Sequence, residues 1–156
     1  VFCGDGVARP ELEAACQNLK NVKFLPLQPE EQLNDLLNLA DIHLLPQKAG
    51  AADSVMPSKL LGMLASGQPT IATVDPSSEV GRTLAECGMI VPPGDRSAFS
   101  EAVLTLAKNP SQRRTLGERS RAVAIQHFGK AAILDSFINE LKQNAKVNET
   151  VPQFKQ

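Results

Sequence analysis

Apolar positions in this chain fall into short runs separated by stretches with helical spacing. Val1–Gly4, Asn21–Leu25, Ile42–Leu45, Thr70–Val74 and Met89–Val91 read as strands. Between them, Pro10–Leu19, Pro29–Ala40, Pro57–Ser66 and Ser77–Glu86 read as helices. Pro29–Ala40 places Leu33, Leu36, Leu37 and Ala40 at the i, i+3, i+4, i+7 positions of one face. Asp95 is placed to cap a helix running to Lys108, with Phe99, Val103, Leu106 and Ala107 inward. Two further helices, Pro110–Phe128 and Ala131–Gln143, are divided at Gly129. The second has an apolar face of Ile133, Leu134, Phe137, Ile138 and Leu141. Residues 144–156 read as a polar tail, frayed or disordered.

Short apolar strands alternating with amphipathic helices predict an α/β fold. The expectation is a single Rossmann-like domain over residues 1–143, a parallel sheet with helices on both faces, plus C-terminal helices. Crossovers of this kind are right-handed. Such sheets bind ligands beyond the carboxyl ends of their strands. The loops after Gly4, Leu25, Leu45 and Val74 lie on that edge.

Composition narrows the function classes. The 156 residues suffice for one domain with a sizeable, mainly aliphatic core, since Trp and Tyr are absent. Sixteen basic against 17 acidic residues argue against a nucleic-acid partner. Cys3, Cys16 and Cys87 show neither CxxC spacing nor His pairing, so a metal site is not expected and a reducing, cytoplasmic compartment is. No apolar run approaches the ~20 residues of a membrane span, and no segment reads as a signal peptide. The chain opens on Val1-Phe2-Cys3-Gly4, inside a strand-like run and without an initiator Met. It is expected to be a piece of a longer protein.

Candidate chemistry concentrates between Gln47 and Gly67. Pro57 suits a first helical position because it has no N–H to leave unpaired. The N–H groups of Ser58, Lys59 and Leu60 would then point out of the helix start beside the Lys59 charge, as a phosphate seat. The loop before it is long for an α/β connection and rich in small residues, Ala49 to Ala52, followed by Asp53 and Ser54. A solvated loop before an ordinary capped helix explains the same residues. Glu79 lies on the same edge, but a first-turn carboxylate explains it equally well. Gly4-Asp5-Gly6 follows a strand, but Arg9 stands where GxGxxG needs its last glycine, so a plain strand–helix turn is favoured. His43, within an apolar run, reads as a core or edge residue rather than a base. Arg113, Arg114, Arg119 and Arg121, interleaved with Glu118, read as the solvated face of a helix.

Several segments occur together in a characteristic order. These are Val1-Phe-Cys-Gly-Asp-Gly, Asn21-Val-Lys-Phe-Leu-Pro, Leu39-Ala-Asp-Ile-His-Leu-Leu-Pro46, Pro57-Ser-Lys-Leu-Leu with Ala65-Ser-Gly-Gln-Pro69, and Gly88-Met-Ile-Val-Pro-Pro-Gly-Asp95. The set resembles the C-terminal, donor-binding half of retaining glycosyltransferases of the family-four type, which have two Rossmann-like domains. Its Gly-Ala-Ala-Asp-x-Val-Met-Pro-Ser-Lys-Leu version is similar to the branch building bacterial surface polysaccharides, close to colanic-acid and N-acetylfucosamine transferases.

The resemblance implies transfer of a sugar from a nucleotide-diphosphate sugar to a glycan or lipid-linked acceptor. No cofactor or metal is implied. By position, Leu27 and Gln28 would lie against the base, and the backbone of Ser58 and Lys59 would meet the diphosphate. Met56 and Pro57 would approach the donor sugar. The family's two glutamates, spaced by several residues around this turn, fall here on Ser54 and Gly62. Asp53 could replace the first. The first strand of this domain, its basic diphosphate clamp and the N-terminal acceptor domain would lie upstream of Val1. That missing domain could also bring the protein to the inner face of the membrane. Because a fixed positive clamp supplies much of the stabilisation of a departing diphosphate, the fragment alone is expected to be inactive. A sugar-nucleotide epimerase-like enzyme and a non-catalytic nucleotide- or protein-binding module remain alternatives.

Overall fold

The structure, a computed structural model, describes residues 1–48 and 56–149. The chain divides into two compact units, Val1–Ala40 and Asp41–Gln156. In the first, β1 (Phe2–Cys3) pairs in parallel with β2 (Phe24–Leu25), and α1 (Arg9–Cys16) connects them. A 3-10 turn at Glu30–Gln32 leads into α2 (Leu33–Asn38). Phe2 and Phe24 stack across the strand pair, their ring centroids 5.0 Å apart. None of residues 1–40 is buried.

In the second unit β3 (His43–Pro46), β4 (Thr70–Thr73) and β5 (Gly88–Val91) form a parallel sheet in the order β3-β4-β5. The crossovers carry α3 (Ser58–Ser66) and α4 (Glu79–Leu84), and α5 (Arg96–Lys108), α6 (Pro110–Phe128) and α7 (Lys130–Glu149) follow. Helices cover both faces of this sheet. On one face Leu45, Ala72 and Val74 pack with Leu60, Leu64, Val80, Leu84 and Ala124 of α3, α4 and α6. On the other, Ile71 and Val91 pack with Ala102 and Leu106 of α5. The alternation of Ile71 and Ala72 between these clusters is the period of two expected of a strand.

Helix boundaries follow local chemistry. Ser78, Asp95 and Asn109 cap α4, α5 and α6, accepting from the N–H groups of Gly81, Ala98 and Gln112 at 3.0, 2.9 and 3.0 Å. Gly67 ends α3 with φ +73°, a left-handed conformation that glycine adopts without a Cβ penalty. α6 then crosses α3 closely. A Cβ on Gly117 would collide with the Gly67 carbonyl oxygen, so only a glycine lets these two backbones approach.

The α/β class with parallel pairing holds, but the described strands form two sheets rather than one continuous sheet. Neither β1 nor β3 has a second neighbour among the described strands. α7 extends to Glu149, six residues beyond the expected end, so the start of the expected tail is helical. The apolar face of α7 is largely exposed, with Phe137 at 57%. On α5, Ala102 takes the buried place expected of Ala107.

Candidate functional site

The candidate phosphate seat is the entry to α3, at the carboxyl edge of the second unit's sheet. Pro57 is the N-cap residue, with φ −64° and ψ 126°, and Ser58 is the first helical residue. This corrects the expectation that Pro57 opens the helix by one position. The extended ψ of Pro57 aims the chain into the helix without a side-chain cap, unlike α4, α5 and α6. A second correction concerns Leu60. Its N–H donates to the Pro57 carbonyl at 2.9 Å and is not free. The seat therefore consists of two N–H groups, those of Ser58 and Lys59, neither with an acceptor among the described residues. Both residues are exposed, so the Lys59 ammonium stands in water beside them.

Met56 and Pro57 are half-buried, and Met56 packs against the cluster of Leu60, Leu64 and Val80. Gly62 sits half-buried within the second turn of α3. Asp53 and Ser54 lie outside the described residues. The strand end facing this region is clamped, because Thr73 Oγ1 accepts from Gln47 N at 2.7 Å and donates to Gln47 O at 2.8 Å. One threonine thus fixes the chain as it leaves β3.

Leu27 and Gln28 belong to the first unit, at the carboxyl edge of β2. Leu27 is 76% exposed. Gln28 Nε2 donates to Pro26 O at 2.8 Å, which leaves the amide oxygen available as an acceptor. Arg9 organises this edge. It donates to Gly4 O at 2.8 Å, Leu25 O at 3.0 Å and Asp5 Oδ1 at 2.7 Å, and through Nε to Glu13 at 2.8 Å. Asp5 Oδ2 in turn accepts from Leu27 N at 3.4 Å. The residue standing where a glycine fingerprint would end therefore ties the β1 turn to the β2 exit. Asp5, Arg9 and Glu13 at i, i+4, i+8 were the signal for it.

His43 is a structural donor. It is buried on β3, and Ser66 Oγ lies 3.0 Å from its Nε2. Ser66 gives its own proton to Met63 O at 2.7 Å, so it accepts from a Nε2–H tautomer. Burial lowers the His43 pKa below its ordinary value and favours this neutral form.

The arginines of α6 are not simply a solvated face. Arg113 Nη1 donates to Leu106 O at 2.6 Å and Ala107 O at 2.9 Å, capping α5. Arg119 Nη1 reaches Glu86 O at 3.3 Å, and Arg121 bonds the Ala65 carbonyl at the end of α3. Cations suit these helix C-termini. Among the described residues no group of three or more His, Cys, Asp or Glu side chains gathers as a metal site, and no helix is long and apolar enough to cross a membrane.

Residues 1–109 match the family described as glycosyl transferases group 1. The chain is 34% identical over 145 residues to the protein carrying the name colanic acid biosynthesis glycosyl transferase WcaI, of Escherichia coli (strain K12). That match covers 89% of this chain and 34% of the relative. It is 31% identical over 136 residues to D-rhamnosyltransferase WbpZ of Pseudomonas aeruginosa, covering 82% of this chain and 34% of that protein. The chain thus spans about a third of the length of the curated relatives it matches. In fold it is similar to HepE of Anabaena, solved in complex with UDP-glucose. The TM-score is 0.71 at 19% identity, over 90% of this chain and 40% of HepE. With its parallel strands, its helix-covered sheet and the match over residues 1–109, this chain belongs to the group 1 glycosyl transferases.

Proposed function

We propose that the chain is the donor-binding part of a retaining glycosyltransferase that moves a sugar from a nucleotide-diphosphate sugar to a glycan or lipid-linked acceptor. The setting of this reading is bacterial surface polysaccharide synthesis on the cytoplasmic side, and the colanic acid biosynthesis in one relative's name supports its polysaccharide part. The observation that carries the reading is the start of α3 without a side-chain cap, where two N–H groups with no acceptor among the described residues accompany the Lys59 charge. The diphosphate meets Ser58 and Lys59. The donor sugar approaches Met56 and Pro57, with Asp53 and Ser54 from the loop before them, and Gly62 stands at the position that faces the ribose. Leu27 and Gln28 contact the base. HepE, a relative in fold, was solved with UDP-glucose, which is consistent with a nucleotide-sugar ligand.

In such chemistry the protein positions the donor and stabilises leaving-group charge, and no general-base residue in this chain is needed. β3 has no second neighbour among the described strands, so this edge is suited to pair with a further strand.

The direct test is a titration of the isotopically labelled chain with UDP, GDP and ADP, following the Ser58 and Lys59 amide signals. One nucleotide is expected to move them. Ser58→Pro sharpens the test. Proline is favoured at a first helical position and Pro57 already has the extended ψ that a following proline requires. The variant keeps the helix, removes one of the two N–H groups and is expected to weaken binding by about tenfold, the scale of one charge-assisted hydrogen bond. Ser54 and Gly62 in the family's glutamate positions favour a second reading, a non-catalytic module. Absence of any response to all three nucleotides would support that reading, and sugar transfer by the full-length protein would exclude it.

A further inference from the structure

A second cavity in the larger unit is unused by the site above. It encloses about 480 Å³ beyond the carboxyl ends of β3, β4 and β5, against the first turn of α5. That volume lies within the usual range of small-molecule sites, and this edge of a parallel sheet is where ligands bind. Three side chains give it apolar walls: Pro46 after β3, Pro93 after β5 and Phe99 on α5. Two cations, Lys48 and Arg96, line it from opposite segments, one leaving β3 and the other opening α5.

The other polar groups around it are already committed. Thr73 is engaged by the Gln47 backbone, Ser100 Oγ donates to Arg96 O at 2.9 Å, and Asp95 caps α5 through Oδ1. Lys48 and Arg96 are not committed. The ion pairs among the described residues are both made by Arg9, and no described acceptor takes a hydrogen bond from either side chain. Among the described lining residues two cations stand with one carboxylate, that of Asp95, so these residues carry a positive surplus. Gln47, in the same wall, has a side-chain oxygen shut off from solvent with no donor. A rotation about its side chain would offer that oxygen to a hydroxyl group.

We propose that this cavity binds a monosaccharide bearing an anionic group, a phosphate or a carboxylate, at a place separate from the α3 entry. The sugar ring lies on the Phe99 and proline walls, its anionic group between Lys48 and Arg96, and a hydroxyl donates to Gln47. A cavity that is mostly apolar with a few converging polar groups fixes orientation through those groups. Paired cations supply the strongest of the available hydrogen bonds.

The experiment is an amide-resolved titration of the labelled chain with glucose 6-phosphate, glucuronate, glucose, inorganic phosphate and UDP. Either anionic sugar is expected to shift Gly94 to Ser100, and the stronger of the two names the anionic group. Glucose or phosphate alone is expected to bind at least about tenfold more weakly, because each lacks half of the contacts. Lys48→Ala and Arg96→Ala, both at exposed positions, are each expected to weaken the anionic sugar by about tenfold. Their unchanged melting temperatures show that the fold is kept. Three outcomes overturn the proposal: no response to either anionic sugar, glucose binding as well as its phosphate, or a response indifferent to both substitutions. A fourth is UDP moving the same amides in competition, which returns the cavity to the donor site. Failure of UDP at Ser58 and Lys59 with an intact sugar response would overturn the donor reading and leave this one standing.

Discussion

Both units are written in the same alternation of short strands and amphipathic helices, yet they are held in different ways. Residues 41–149 supply two buried clusters, one on each face of a three-stranded sheet, with Leu60, Leu64, Ile71, Leu84 and Leu106 fully enclosed. Residues 1–40 enclose no side chain, and Phe2, Leu12, Leu19, Leu33 and Leu39 are all exposed. The smaller unit rests instead on the stack of Phe2 with Phe24 and on the bonds radiating from Arg9. Local pattern therefore specifies the elements in both places, while a core forms only where a sheet has layers on both faces. The unit carrying the proposed diphosphate seat is the one with buried clusters. The unit carrying Leu27 and Gln28 is held by polar contacts at its edge.

The sharpest way to test this contrast is a pair of matched truncations. Leu64→Ala empties a fully enclosed position between α3 and the sheet and is expected to cost about 2–5 kcal/mol. Leu12→Ala removes a side chain that is 40% exposed and is expected to cost about 1 kcal/mol or less. Urea unfolding of the two variants measures the difference. Equal losses would show that the smaller unit has a core after all. Hydrogen exchange gives the same comparison without mutation, with the β4 amides expected to exchange far more slowly than those of β2.

A smaller effect tests how the seat is held. α6 approaches α3 through Gly117, and Arg121 bonds the Ala65 carbonyl near the end of α3. Gly117→Ala places a methyl group against the Gly67 backbone and is expected to destabilise by about 1–3 kcal/mol, as overpacking does. Because the clash falls at the far end of α3 from Ser58, loss of stability and loss of nucleotide binding need not coincide. Thermal unfolding together with a nucleotide titration separates them. A stable variant of unchanged melting temperature would mean that the two helices can part without cost.

Much of the larger unit was legible in the sequence because its signals are local. Pro110, Gly129 and Asp95 mark helix ends by their own backbone chemistry, and α5 and α6 run between them as the sequence predicts. Pairings made across the fold were less legible. Four arginines on one helix look like a solvated face until the carbonyls of Leu106, Glu86 and Ala65 arrive from three other segments. The division into two sheets was likewise hidden, since a strand's apolar pattern does not name its neighbour. At the site, Pro57 and Ser58 were found to within one position. The engagement of Leu60 N–H by Pro57 O is a 3-10 detail that spacing does not reveal.

The weakest of the predicted effects concerns pH and again separates the two units. His43 lies in the larger one, with its pKa lowered by burial, whereas His127 is exposed on α6. Unfolding returns His43 to the ordinary value near 6.5. Below that pH the unfolded chain holds the extra proton and the folded chain resists it, so stability is full above about pH 6.5 and is lost as the pH falls. The loss should begin as the pH falls below about 6.5, above the range near 4 where carboxylates ordinarily titrate. His43→Gln keeps a donor for Ser66 Oγ and cannot be protonated. Its unfolding free energy should therefore be flat across the window in which the parent declines. If both proteins decline together, the slope belongs to another group and the Nε2–H assignment at Ser66 loses its consequence. If only the parent declines, acid weakens the β3–α3 contact at the end of α3 opposite the Ser58–Lys59 seat.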